Sequence, residues 1–173
     1  MTSTFQDSDA LTVLEALEAL AAKRRNVLRG AQHTGRLIGN LLVNRGFLTA
    51  DELEVALREH RRSGERLGEA AVRLGYISDR ALAEVLAEQL RLPLVDLRRT
   101  QIDIAVATLL PYEDTARTHM LPFRLTDDGI DVAAVDPSDE QAVTSLVRRL
   151  RFPVLFHVAS VSDVQIAISR IWQ

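Results

Sequence analysis

Apolar positions recur along the chain with two different periods. Up to about residue 90 they return every three or four residues, as on one face of a helix, and beyond residue 120 they gather into short runs of strand length. Leu11, Leu14, Leu17, Leu20 and Ala21 mark one face of a helix expected over 9–29, with Lys23-Arg24-Arg25 near its C-terminal end and Gly30 as its stop. Residues 31–35 read as a joint. From there the chain repeats itself: Leu37–His60 laid over Arg66–Gln89, an offset of 29 residues, matches Gly39 with Gly68, Val43 with Val72, Gly46 with Gly75, Leu53 with Leu82, Leu57 with Leu86 and Glu59 with Glu88. Ile38/Leu67, Phe47/Tyr76, Leu48/Ile77 and Thr49/Ser78 are close substitutions in the same frame. Six identities in 24 positions exceed chance and indicate a duplicated supersecondary unit, and two copies suit a paired bundle better than a solenoid.

Each copy has the same local logic. A short apolar helix runs to a glycine (Gly46, Gly75), a hydroxyl residue (Thr49, Ser78) follows in the N-cap position, and a second helix places two leucines one turn apart. In the first copy Thr49-Ala50-Asp51-Glu52 has the spacing of a capping box. After the repeat, Leu92–Leu97 reads as extended and Ile102 to Leu110 as a helix stopped by Pro111, with a further turn over Tyr112–Ala116. Leu121–Leu125 and Ile130–Val135 flank Asp127-Asp128-Gly129, a hairpin signal. A helix is expected from Asp136-Pro137-Ser138 to about Leu150, with Ser138 and Gln141 in capping-box spacing, then a strand over Pro153–Val158 and a helix over Val161–Ile171 capped by Ser160. The predicted fold class is therefore α+β: a helical N-terminal subdomain built on a duplicated helix-turn-helix unit, followed by a small three-stranded α/β subdomain. The domain organisation expected is 1–35 as helix and joint, 36–91 as the tandem-motif subdomain and 92–173 as the α/β subdomain.

Composition narrows the classes. With 173 residues, 47% of them hydrophobic, and no cysteine, the chain is globular, without a disulfide frame or a thiolate zinc site, and a reducing compartment is the default. No apolar run approaches the roughly 20 residues of a membrane span, and the first seven residues lack the basic lead and apolar core of a signal peptide. The net charge of −3 conceals a gradient: −4 over residues 1–22, +5 over 23–73 and −4 over 74–173. Of 21 basic residues 20 are arginine, with Lys23 the exception. A GC-rich genome accounts for such a bias, and so does a local site for an anionic ligand, which a planar guanidinium pairs at two points.

Catalytic signatures are absent from the sequence. It holds no Gly-x4-Gly-Lys-Ser/Thr phosphate loop, no Gly-x-Ser-x-Gly elbow and no Cys/His pair. His33, His60, His119 and His157 are scattered, and His157, within a strand pattern, reads as a packed or edge residue. Asp136, Asp139 and Glu140 sit at a helix start, where carboxylates complement the dipole. The chain is expected not to be an enzyme, to hold no metal and no cofactor, and, with few aromatics and an acidic balance, not to bind nucleic acid.

What remains is the pair of Gly-x6-Gly units, the second headed by Arg66-Leu67-Gly68 and closed by Leu82-x3-Leu86-x2-Gln89, with the spacer Arg61-Arg62-Ser63-Gly64-Glu65 between them. This pattern resembles the MshEN domain, the N-terminal region of type II secretion and type IV pilus ATPases. Leu92–Leu97, Val135-Asp136-Pro137-Ser138-Asp139 and the closing Val158-Ala159-Ser160 extend the resemblance over about residues 36–172. It implies cyclic di-GMP as ligand, bound by Arg66, Leu67, Gly68, Gly75, Leu82, Leu86 and Gln89 of the second copy. From the first it implies Ile38, Gly39, Gly46, Leu53 and Leu57, with Arg36 and His60 as substitutes. Leu37 stands where the family has arginine, His60 where it has glutamine, and Ala71 is smaller than usual. The chemistry suits a two-fold dianion with two guanines: arginine pairs guanine O6 and N7 or phosphate, glycine admits close backbone approach, and leucines cover a purine face. The expected role is a non-catalytic regulatory domain of a secretion or pilus ATPase or of a membrane glycosyltransferase, in cis or in trans. Its expected place is the cytoplasm, up to the inner face of the inner membrane. The alternative is an adaptor that docks a secretion ATPase to its inner-membrane platform without binding nucleotide.

Overall fold

The computed structural model describes residues 34–173; the helix expected over 9–29 lies outside the described residues, as does most of the joint at 31–35. Helices α1 (Thr34–Asn44) and α2 (Ala50–Ser63) form the first copy, and α3 (Leu67–Arg73) and α4 (Asp79–Leu90) the second. The 29-residue offset holds in three dimensions: α1 and α3 end on equivalent residues, and α2 and α4 begin on equivalent residues. Each turn is closed by the same bonds, Gly46 N–H to Val43 and Phe47 N–H to Leu42 in one, Gly75 N–H to Val72 and Tyr76 N–H to Ala71 in the other. These are helix-ending bonds that need a left-handed residue, supplied by Gly46 at φ +72° and Gly75 at φ +77°. Thr49 accepts from Glu52 N–H while the Glu52 carboxylate accepts from Thr49 N–H at 2.8 Å, the reciprocal cap that the sequence predicts. Ser78 accepts from Ala81 N–H at 3.1 Å.

The four helices share one apolar core of Ile38, Leu42, Leu48, Ala56, Leu67, Ala71, Ile77, Leu82 and Val85. They are also laced crosswise. Glu59 of α2 takes Arg73 at the end of α3 (2.9 Å), and its counterpart Glu88 of α4 takes Arg45 just beyond α1 (2.6 Å). Each copy thus grips the other through the same carboxylate, the arrangement of a pseudo-two-fold pair.

The second half contains α5 (Ile104–Ala107), α6 (Tyr112–Thr118), β1 (Met120–Thr126), β2 (Gly129–Ala134), α7 (Glu140–Leu150), β3 (Val154–Val158) and α8 (Val161–Ile171). The sheet has the order β1-β2-β3, antiparallel between β1 and β2 and parallel between β2 and β3. Ile130, Val132 and Phe156 face α7 through Ala142, Val143, Leu146 and Leu150, while Leu121, Phe123 and Ala133 face α8 through Val164, Ala167 and Ile168. Both faces of the sheet are covered, which is why β2 is buried along its whole length. Leu94, in the segment predicted to be extended, forms a parallel bridge with Val158. The α+β fold and its three strands agree with the sequence reading.

Two local expectations are corrected. The helix predicted over Ile102–Leu110 is a single turn, Ile104–Ala107, because the Asp103 carboxylate caps Ala105 and Val106 while Asp103 N–H is tied to Phe123 of β1. The cap of α7 is Asp139, accepting from Gln141 and Ala142, rather than Ser138, whose hydroxyl donates to Asp136. The two subdomains meet where α4 lies on β3, through Ala83, Ala87 and Val158, reinforced by Ser162 N–H donating to Asp79 at 2.8 Å and by the Arg80–Asp96 pair at 3.2 Å.

Candidate functional site

Within each copy the first helix is pressed onto the second at a glycine. A methyl group on Gly39 would stand 2.8 Å from Leu53 Cδ1 and 3.3 Å from Leu67 Cδ2; one on Gly68 would collide with Leu82. The two contacts are equivalents in the repeat, so these glycines serve close helix approach in both copies. The structure thereby brings Ile38, Gly39, Leu53, Leu67, Gly68 and Leu82 together, with Leu57 and Leu86 half-buried against the same core. Gly46 and Gly75 are not brought to this cluster. Each lies seven residues along the chain from Gly39 or Gly68, about 10 Å at 1.5 Å per helical residue, and stands exposed at its turn.

The second copy is open for contact. Arg66 is the N-cap of α3 in extended conformation, its N–H bonded to Glu69 at 3.3 Å, and its side chain is 57% exposed. The guanidinium is ion-paired with Asp136 of the β2–α7 loop. Gln89, in the last turn of α4, has a buried Oε1 with no hydrogen-bond partner among the described residues. A buried amide oxygen without a donor is costly, of the order of 1–3 kcal/mol, and it marks a place where a ligand N–H would be gained at full value. Arginine donors and this acceptor stand at the two ends of one copy.

The first copy carries different groups at the equivalent positions. Leu37, in the position of Arg66, is 51% exposed and carries no polar group. His60, in the position of Gln89, donates from Nδ1 to the Glu65 carbonyl at 2.5 Å, which commits that nitrogen and fixes the direction of the ring. Arg36 lies in the first turn of α1, and its side chain is outside the described residues.

From sequence, Asp136 stands at a helix start and within the Val135–Asp139 stretch that carries the family resemblance, with no link to Arg66. Nor does the sequence reveal the crossed pairs. Glu59 is held down to about 2, chiefly by the Arg62 hydrogen bond and further by Arg73, whose own guanidinium is pushed up by Glu65 and Glu59. The matching of Glu59 with Glu88 in the repeat was the available signal. Elsewhere, His157 donates to the buried Asp131 at 3.1 Å and packs edge-on to Phe123, the structural role its strand position suggested. Among the described residues no group of three or more His, Cys, Asp or Glu could hold a metal ion, and no helix is long and apolar enough to cross a membrane.

With this geometry in hand, similarity to known proteins becomes informative. The family model of the MshEN domain matches residues 90–173, the α/β half together with the end of α4. A solved structure of MshE with cyclic di-GMP is 32% identical, superposes with a TM-score of 0.68, and covers 78% of this chain and 98% of that one. The N-terminal domain of XpsE is 29% identical with a TM-score of 0.64, over 79% of this chain and 94% of that one. PilB, a type IV pilus assembly ATPase of Thermus thermophilus, is 36% identical over 104 residues, 59% of this chain. The chain spans only 12% of the length of that curated relative.

Proposed function

The chain belongs to the MshEN domain family, and on that premise we propose that it is a non-catalytic regulatory domain that binds cyclic di-GMP through the second copy of its helical repeat. Arg66 supplies paired donors for guanine O6 and N7 or for a phosphate, and Gln89 supplies an unpartnered acceptor for a guanine N–H. Gly68 and Gly39 let the helices close up, and Leu82, Leu86, Leu53 and Leu57 give the apolar cover. The first copy contributes shape and apolar surface, with Ile38 in the shared core, Arg36 and His60 as its candidate polar contacts, and Gly46 holding its turn as Gly75 holds that of the second. The observation that carries this reading is an exposed Arg66 at one end of the second copy and an unsatisfied Gln89 at the other, in a scaffold similar to one solved with cyclic di-GMP.

The domain would report to a secretion or pilus ATPase, or to a membrane glycosyltransferase, in cis or in trans, at the cytoplasmic face of the inner membrane. The likeness to PilB supports the first of these. Titration calorimetry of this chain with cyclic di-GMP tests the proposal. Saturable heat with one dominant site, strongly weakened by Arg66→Ala, is the expected result; no heat at tens of micromolar protein overturns it. The adaptor reading, docking to an inner-membrane platform without nucleotide, is favoured by one observation, the uncharged Leu37 and self-bonded His60 of the first copy. Silence in calorimetry together with retained capture of the platform protein would establish that alternative.

A further inference from the structure

One ion pair links the helical repeat to the loop that opens α7. Arg66 stands at the head of α3, and Asp136 follows β2 in the α/β subdomain. Asp136 is itself held firmly. Its Oδ1 accepts from Ser138 N–H at 2.8 Å and from the Ser138 hydroxyl at 2.5 Å, while its buried Oδ2 is left to the guanidinium. The next residue in line, Asp139, caps α7. A fixed carboxylate therefore faces a mobile kind of side chain: arginine has many rotamers, and an exposed one loses that freedom when it meets a ligand.

We infer that Asp136 is a positioning residue for the nucleotide site, holding the Arg66 guanidinium in one orientation before ligand arrives. This rests on the cyclic di-GMP reading. Guanidinium has five N–H donors in a fixed fork, and the pair engages it from Nη1, leaving other donors for a ligand. Pre-ordering the side chain removes part of the ordering cost from binding. Partial neutralisation by the carboxylate also weakens attraction to any bare anion while leaving directed donors, which favours a base edge over an isolated phosphate. The site becomes a joint product of both subdomains, and its occupancy acts directly on the loop that starts α7.

The test compares cyclic di-GMP affinity in the full chain among single and double variants. Asp136→Asn keeps an oxygen for Ser138 but removes the charge, and it should weaken binding about 10-fold through loss of pre-ordering while the melting temperature stays near that of the wild type. Asp136→Glu should recover part of the loss. In an Arg66→Ala background Asp136→Asn should cost nothing further, because its effect passes through Arg66. A purely structural role would not show that dependence. Binding by Asp136→Asn equal to or tighter than wild type overturns the inference, since the carboxylate would then be a bystander or a competitor. Absence of binding by the wild type is a separate result, which overturns the cyclic di-GMP reading and this inference with it.

Discussion

The two copies of the helical repeat have one backbone and different surfaces. Their turns, caps and glycine contacts coincide at the 29-residue offset, and each lends a glutamate to the other's arginine. At the positions where a ligand would be met, they diverge: Arg66 and an unpartnered Gln89 in one copy, Leu37 and a self-bonded His60 in the other. Residues that build the helix pair are constrained by packing, because a change there moves the partner helix as well. Residues at the rim touch little and can change without unfolding anything. The difference teaches that the repeat is a scaffold kept in duplicate, with the polar groups proposed to meet a ligand present in the second copy.

The strongest way to break this asymmetry is to remove its charged member. Arg66→Ala should lower cyclic di-GMP affinity by roughly 100-fold, near the upper end of the 1–3 kcal/mol of a bidentate arginine contact. Calorimetry reads the loss directly. The equivalent change in the first copy, Leu37→Ala, should leave affinity unaltered within about two-fold, as expected of an exposed apolar residue with no specific contact.

A second comparison concerns the shared scaffold. Gly68→Ala drives a methyl group into Leu82, whose side chain is buried, whereas Gly39→Ala meets the half-buried Leu53 at 2.8 Å. Overpacking of this kind costs about 1–3 kcal/mol. Gly68→Ala should therefore lower the thermal midpoint more than Gly39→Ala, and thermal unfolding followed by circular dichroism checks the order. Equal effects would mean that the two helix contacts are equally yielding.

The asymmetry can also be reduced from the other side. Leu37→Arg restores a cation to the first copy at an exposed position, so folding should be unaffected and affinity should rise by roughly three- to ten-fold, about 1 kcal/mol for one charge-assisted contact. A smaller effect is expected from acid. The Glu59 carboxyl is held at about 2 instead of its ordinary 4.5, chiefly by Arg62 and then by Arg73. A carboxyl lowered in the folded state adds stability that is present above its unfolded value and is lost as pH falls through the folded one. Glu59→Gln should therefore flatten the fall in thermal midpoint between pH 4.5 and 2 and leave the two chains parallel below it. Since the carboxylate is near the surface, the change should be small.

The sequence made the scaffold legible because it repeats. A 29-residue offset with glycines, caps and leucines in step fixes four helix boundaries at once, and hairpin and cap signals place the strands. It misjudged the stretch after the repeat, where Asp103 is both a helix cap and a partner of β1, because tertiary hydrogen bonding set the helix length there. The candidate residues Arg66, Gly68, Leu82 and Gln89 follow from the resemblance to the MshEN motif, which the spacing of the repeat carries. Asp136 was visible as a residue and not as a neighbour of Arg66, since the two are 70 positions apart and only the docking of the α/β subdomain joins them. The commitment of His60 to the Glu65 carbonyl was equally hidden, being a matter of side-chain direction.

The central claim is that one copy carries the binding, and amide resonances followed through a titration of the labelled chain with cyclic di-GMP test it most directly. The account predicts shifts concentrated at Arg66–Gly68, Leu82–Gln89 and Asp136–Ser138, with Gly39 and Leu53 moving less. Shifts centred on Leu37–His60 while Arg66 and Gln89 stay still would contradict it.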